Sequence, residues 1–118
     1  MTRRVLAILA FAGLLTGSPA LAADGAKTFQ LQCKTCHGAK STPMGPSLAG
    51  VAGRKIASLA DFKYSAGLTA KSGATWTDAN LDAYLAAPAK FAPGTKMMTG
   101  VANPADRAAV VAYVKALK

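Results

Sequence analysis

The sequence predicts an all-α domain of three to five short helices, joined by loops long enough to wrap a bound group. Three observations carry that reading. Several segments open on good N-cap residues and repeat apolar side chains three and four positions apart. No stretch alternates apolar and polar residues as a half-buried strand would. The connections at residues 39–58 and 90–101 are rich in glycine and proline, and they are longer than a plain domain of this size keeps.

The first element is a leader rather than part of the fold. Arg3 and Arg4 form a short positive region, and Val5 to Leu15 is an apolar run of 11 residues. Pro19 and then Ala20-Leu21-Ala22 supply a break and an A-x-A cleavage site. The run falls short of the roughly 20 residues a membrane span needs. Residues 1–22 therefore read as a cleaved secretory signal peptide and residues 23–118 as one domain of 96 residues, with no later segment able to cross a bilayer. Export to an oxidising compartment, the bacterial periplasm, is the expected location.

Residues 24–38 predict the first helix, with Asp24 as N-cap and Gly38 as stop. Ala26, Phe29, Gln30 and Cys33 share a face, and Gly25 marks a close helix crossing. A helical turn is expected at residues 65–71. Thr77 caps a helix over residues 78–87 with Leu81, Tyr84 and Leu85 on one face, and Pro88 stops it. Pro93-Gly94 signals a turn within the second long loop. Asn103 and Pro104 begin the last helix as N-cap and N1, with Val110, Tyr113, Val114 and Leu117 as its apolar stripe.

Charge narrows the function classes. The full chain carries +9, and removing Arg3 and Arg4 leaves +7; all five acidic residues are Asp. The lysines are scattered, with no basic run and no interleaved aromatics, which argues against nucleic acid. Anionic lipid and an acidic protein partner both remain compatible with the charge. A domain this small is marginal without a staple or a cofactor.

The cofactor is written at Cys33-Lys34-Thr35-Cys36-His37. This is C-x-x-C-H, the attachment pattern of a c-type haem. Each thiol can add to one haem vinyl group, and the adjacent imidazole can reach the iron. A zinc site would need a fourth ligand that this Cys/His set lacks, a thioredoxin-like dithiol would sit in a βαβ unit, and a plain disulfide would leave His37 unexplained. One covalent haem c is therefore expected. For a second axial ligand the sequence offers Met44, Met97, Met98 and the lysines. Met44 stands close to His37 in the chain, and chemistry alone does not choose between Met97 and Met98.

The chain resembles the monohaem class I c-type cytochromes of the soluble bacterial and mitochondrial type. The resemblance covers residues 24–118. It rests on Gly25 and Phe29 before C-K-T-C-H, and on G-P-S-L-A-G with Gly53-Arg54. Phe62, Tyr64-Ser65, Trp76, Tyr84-Leu85 and Pro88 continue it, and P-G-T-K-M ends it at Met97. It implies the small cytochrome c fold, with His37 and Met97 as axial ligands and Pro46 orienting His37 through its carbonyl. Tyr64, Trp76 and Thr95 would sit near the haem propionates, Arg54 would offset their charge, and Tyr84 would lie over the distal face. Gly25 and Phe29 would pack on Val110 and Tyr113. Lys34, Lys90 and Lys96 would be partial counterparts of the family's basic haem edge. The loop from His37 to Pro46 is shorter than in the mitochondrial proteins, and Thr99 stands where those usually carry Phe.

The function implied is that of a soluble monomeric one-electron carrier, not an enzyme, serving redox proteins with acidic surfaces. A haem subunit, or dedicated acceptor, of a single periplasmic dehydrogenase is the alternative. A small peroxidase acting after Met97 dissociates is a further one, for which the sequence offers no acid/base residue.

Overall fold

The computed structural model describes residues 24–118, together with Gly13; the leader reading of residues 1–22 lies outside the described residues. Five helices follow in order: α1 (Gly25–Gln32), α2 (Ala66–Thr69), α3 (Asp78–Ala86), α4 (Pro88–Phe91) and α5 (Pro104–Lys115). The predicted caps at Asp24, Thr77 and Asn103 are in place, and Ser65 supplies a fourth that the sequence reading did not name. Asp24 accepts from the Lys27 amide, Ser65 from Leu68, Thr77 from Asn80, and Asn103 from both Ala105 and Asp106. Such caps satisfy amides that have no partner inside the helix.

The frame of the fold is α1 crossing α5, with α3 packed on α5 and α4 on α3. The crossing explains Gly25. A Cβ there would fall 2.2 Å from the Ala109 carbonyl oxygen, so only glycine lets the backbones approach this closely. Phe29 then packs its ring 4.9 Å from that of Tyr113. The buried face of α1 therefore runs through Gly25, Phe29 and Cys33; the predicted partners Ala26 and Gln30 are exposed. Leu81, Tyr84 and Leu85 of α3 are buried as their spacing predicts, and α5 adds Val111 to its expected stripe of Val110 and Val114.

Two boundaries differ from the sequence reading. Helix α1 ends at Gln32, not Gly38, because the chain tightens into a turn in which the Cys36 and His37 amides both donate to the Cys33 carbonyl, at 3.1 and 2.9 Å. Pro88 ends α3 as expected and also opens α4, a helix the sequence reading missed. Ala87 between them is extended, and proline at N1 needs no amide donor.

The long loops are fastened rather than loose. Residues 53–56 pair with residues 74–76: Gly53 donates to Trp76, Trp76 to Arg54 and Ile56 to Ala74, all at 2.8–3.0 Å. The Gly50 amide reaches the Leu117 carbonyl at 2.9 Å, tying this loop to the end of α5. Trp76, Tyr84 and Phe91 form an aromatic cluster with ring centroids 5.3–5.9 Å apart.

Candidate haem-binding site

The loops and helices enclose a mostly apolar cavity of about 340 Å³, within the size range of cofactor pockets. All ten residues singled out from the sequence line it. Cys33, Cys36, His37, Pro46 and Arg54 come from the first half of the chain, and Tyr64, Trp76, Tyr84, Thr95 and Met97 from the second.

The motif end is built locally. Cys33 is buried and Cys36 half-buried, and both are free thiols. Burial pushes the Cys33 thiol up from its ordinary value, and the neighbouring Cys36 adds to that. His37 Nδ1 lies 2.9 Å from the Pro46 carbonyl oxygen. A carbonyl only accepts, so Nδ1 carries the proton and donates, which leaves the Nε2 lone pair free for a metal. Gly45 backs this arrangement. A Cβ there would come 2.7 Å from the Cys36 carbonyl oxygen and 3.0 Å from two atoms of the imidazole. The sequence reading gave Pro46 a role and carried Gly45 only as the first residue of G-P-S-L-A-G; its place immediately before Pro46 was the available signal.

The other end is assembled from distant parts. Ala92 to Thr95 form a β-turn closed by the Thr95 amide on the Ala92 carbonyl at 2.9 Å. Gly94 occupies the left-handed position of that turn at φ +82°, with Pro93 before it, as a type II turn requires. Thr95 is buried and its hydroxyl lies 2.6 Å from the Tyr84 hydroxyl. The Met97 amide donates to the same Thr95 oxygen at 3.3 Å. Burial raises the Tyr84 phenol above its ordinary value, and the Thr95 hydrogen bond offsets part of the rise.

The methionines separate here. Met97 is half-buried and packs against the core, whereas Met98 is 88% exposed and Met44 64% exposed. Of the lysines expected at the haem edge, Lys96 lines the cavity; Lys34 and Lys90 are exposed and do not. Leu48, Val51 and Leu68 complete the apolar lining, which the sequence reading did not single out.

The residues present fit a haem. An apolar cavity holds two free thiols, an imidazole nitrogen with an open lone pair and a half-buried thioether. Arg54 adds a further point of fit: Nη1 donates to the Ala49 carbonyl at 3.2 Å and Nη2 to the Ser47 carbonyl at 3.0 Å, while its buried Nε has no partner. A fixed cation with an orphaned N–H at a cavity wall suits a group that carries carboxylates. Among the described residues no cluster of three or more His, Cys, Asp or Glu forms an alternative metal site.

A family model described as Cytochrome c matches residues 22–118. The chain belongs to the cytochrome c family. It is 50% identical over 98 residues to cytochrome c2 iso-2 of Magnetospirillum fulvum, covering 80% of this chain and all of the relative. Among solved structures it resembles ferricytochrome c2 from Rhodopseudomonas palustris, with TM-score 0.75, 38% identity, and coverage of 82% of this chain and 98% of that one. It also resembles cytochrome cH from Methylobacterium extorquens, with TM-score 0.70, 43% identity, and coverage of 80% and 96%. As a cytochrome c it is an all-α electron carrier that binds one covalent haem c. No described helix is long and apolar enough to cross a membrane.

Proposed function

We propose that this cytochrome c is an exported one-electron carrier of the bacterial periplasm, with His37 and Met97 as its two axial ligands. Cys33 and Cys36 hold the haem as thioethers. Bound there, the haem supplies an iron that takes up one electron and returns it. The protein's part is to hold the iron's surroundings constant between the two states. His37 is fixed by its Nδ1–H on Pro46, and the apolar lining excludes water and favours the state of lower charge. Arg54 would offset the charge of the propionates, and Tyr64, Trp76 and Thr95 would border them, with Tyr84 over the distal face.

The observation that carries this reading is the difference in burial between Met97 and Met98, two adjacent thioethers of which only Met97 packs against the core. The basic surface supports acidic redox proteins as partners of a monomeric carrier. The leader motif at residues 1–22 supports export before folding around the haem, with residues 23–118 as the working domain. The subunit reading differs in predicting a stable complex with a single dehydrogenase.

The test is a pair of variants. Met97→Ala should abolish the weak sulfur-to-iron charge-transfer band of the oxidised protein and lower its reduction potential, because thioether favours the ferrous state more than water or nitrogen donors do. Met98→Ala should keep the band with little change in potential. The reverse outcome moves the ligand to Met98, and retention of the band in both variants moves it to Met44.

A further inference from the structure

Residues 61–64 touch both ends of the site, and of these only Tyr64 has a role in the proposal above. On one side the Ser41 hydroxyl donates to the Asp61 carboxylate at 2.9 Å, and the same Ser41 oxygen accepts from the Ser47 amide at 2.9 Å. That joins the segment to the loop carrying Pro46, which fixes His37. On the other side Lys96 Nζ donates to the Lys63 carbonyl at 3.1 Å and sits 5.9 Å from the centre of the Phe62 ring. That joins the segment to the residue next to Met97. The segment itself is stiffened by Phe62 edge-on to Tyr64 at 5.0 Å, and the Tyr64 hydroxyl accepts from the Leu59 amide at 3.3 Å. Phe62, Tyr64 and Lys96 all line the cavity.

We infer that residues 61–64 are a strap linking the two ligand-bearing loops, with Lys96 and Ser41 as positioning residues that keep Met97 in place. This rests on the reading of Met97 as ligand and deepens it. The connection runs in series: Pro46 loop, Ser41, Asp61, residues 62–63, Lys96, Met97. Cutting a series link at either end frees the distal loop from the proximal one. Loss of Ser41, remote in sequence from Met97, should therefore loosen Met97.

The experiment measures the rate at which imidazole enters the oxidised holoprotein, which requires Met97 to leave the iron, together with the temperature at which the charge-transfer band is lost. Lys96→Met removes a charged hydrogen bond and a cation–π contact, and should raise the entry rate about five- to tenfold and lower that temperature. Lys96→Arg, which retains a donor and a charge, should restore most of the wild-type rate. Ser41→Ala should raise the rate about two- to threefold. The double variant Lys96→Met, Ser41→Ala should be no faster than Lys96→Met alone, because the strap is already free. Lys118→Met removes the same charge at an exposed position away from the cavity and should leave the rate unchanged. An unchanged rate in Ser41→Ala, multiplying effects in the double variant, or a Lys118→Met effect equal to that of Lys96→Met would each overturn the strap. Met97→Ala in the same series distinguishes the premise: if it retains the band, the ligand assignment has failed rather than the strap.

Discussion

Residues 33–46 and residues 92–101 each bring one candidate ligand to the cavity, and they hold it by different means. His37 is fixed by neighbours in the chain. Its ring donates to Pro46, nine residues on, and rests on Gly45, while its own amide closes the turn on Cys33. Met97 is fixed by elements from elsewhere. Thr95 is held by Tyr84 of α3, Lys96 by Lys63, and the Val101 amide donates to Leu85 at 2.7 Å. Arg107 of α5 fastens the end of this loop through the Val101 and Ala102 carbonyls, at 3.2 and 3.1 Å, while paired with Asp82 at 2.6 Å. A ligand held locally survives partial loosening of the fold. A ligand held by tertiary contacts is released when those contacts open, since local opening costs less than global unfolding.

The sharpest way to break the local side is Gly45→Val. The side chain would meet the Cys36 carbonyl and the imidazole, both inside van der Waals contact, and one obstruction is backbone. Overpacking of this kind should cost about 1–3 kcal/mol in denaturant unfolding and turn the His37 ring away from Pro46. The charge-transfer band should persist in whatever remains folded, because nothing in the Met97 loop is altered. Loss of the band at native temperature would mean that distortion beside His37 is carried to Met97 through the strap.

Gly100→Ala is the matching probe of the tertiary side. Its Cβ would fall 2.5 Å from the Leu85 carbonyl oxygen and 2.9 Å from Pro88 Cδ, forcing the loop off α3. The expected cost is about 1–2 kcal/mol, toward the lower end because a loop can shift. Here the band should weaken at temperatures where helicity is intact. Equal midpoints for band and helicity, by absorbance and circular dichroism, would show the loop to be as firmly held as the core.

The same contrast decides what the sequence could reveal. Asp24, Thr77 and Asn103 act through amides two or three residues away, so these three caps were legible. C-x-x-C-H was legible for the same reason. The separation of Met97 from Met98 was not, because it depends on which side chain the Thr95 and Val101 anchors turn inward. Resemblance to a family supplied what local chemistry could not. On α1 the apolar spacing placed Phe29 and Cys33 correctly and Ala26 and Gln30 wrongly, while the crossing at Gly25 was legible from the cost of glycine in a helix rather than from any hydrophobic pattern. Lys96 is a surface charge whose contact was not legible, because its partner, the Lys63 carbonyl, is backbone and 33 positions away.

Tyr84→Phe tests a smaller contribution to the distal side. The variant removes a buried hydrogen bond to Thr95, with an expected loss of about 0.5–1.5 kcal/mol at neutral pH. Its pH dependence carries a sign. Burial raises the folded phenol above its ordinary value of 10.0, so the fold favours the protonated form. That stability is fully present below about pH 10 and is lost as pH rises through the elevated folded value. Wild-type protein should lose stability on that alkaline limb, and Tyr84→Phe should lose less. Parallel losses in both proteins would show that Tyr84 does not ionise on unfolding in that range.

The smallest effect is expected where an ion pair touches neither side. Lys115 Nζ lies 2.8 Å from Asp78, linking α5 to α3, with the two side chains 46% and 66% exposed. Water solvates both ends, and a pair of this exposure contributes between nothing and about 1 kcal/mol. Neither residue lines the haem cavity. Lys115→Ala should therefore shift the unfolding midpoint by less than about 0.5 kcal/mol, and salt should erase even that. The charge-transfer band and its thermal midpoint should be unchanged. Arg107→Ala makes the informative contrast, since Arg107 joins the same two helices but also holds the Val101 and Ala102 carbonyls. It should cost more, and part of that cost should appear in the band. If Lys115→Ala weakened the band as much as Arg107→Ala, the α3–α5 packing as a whole would govern Met97, rather than the carbonyl contacts at the end of its loop.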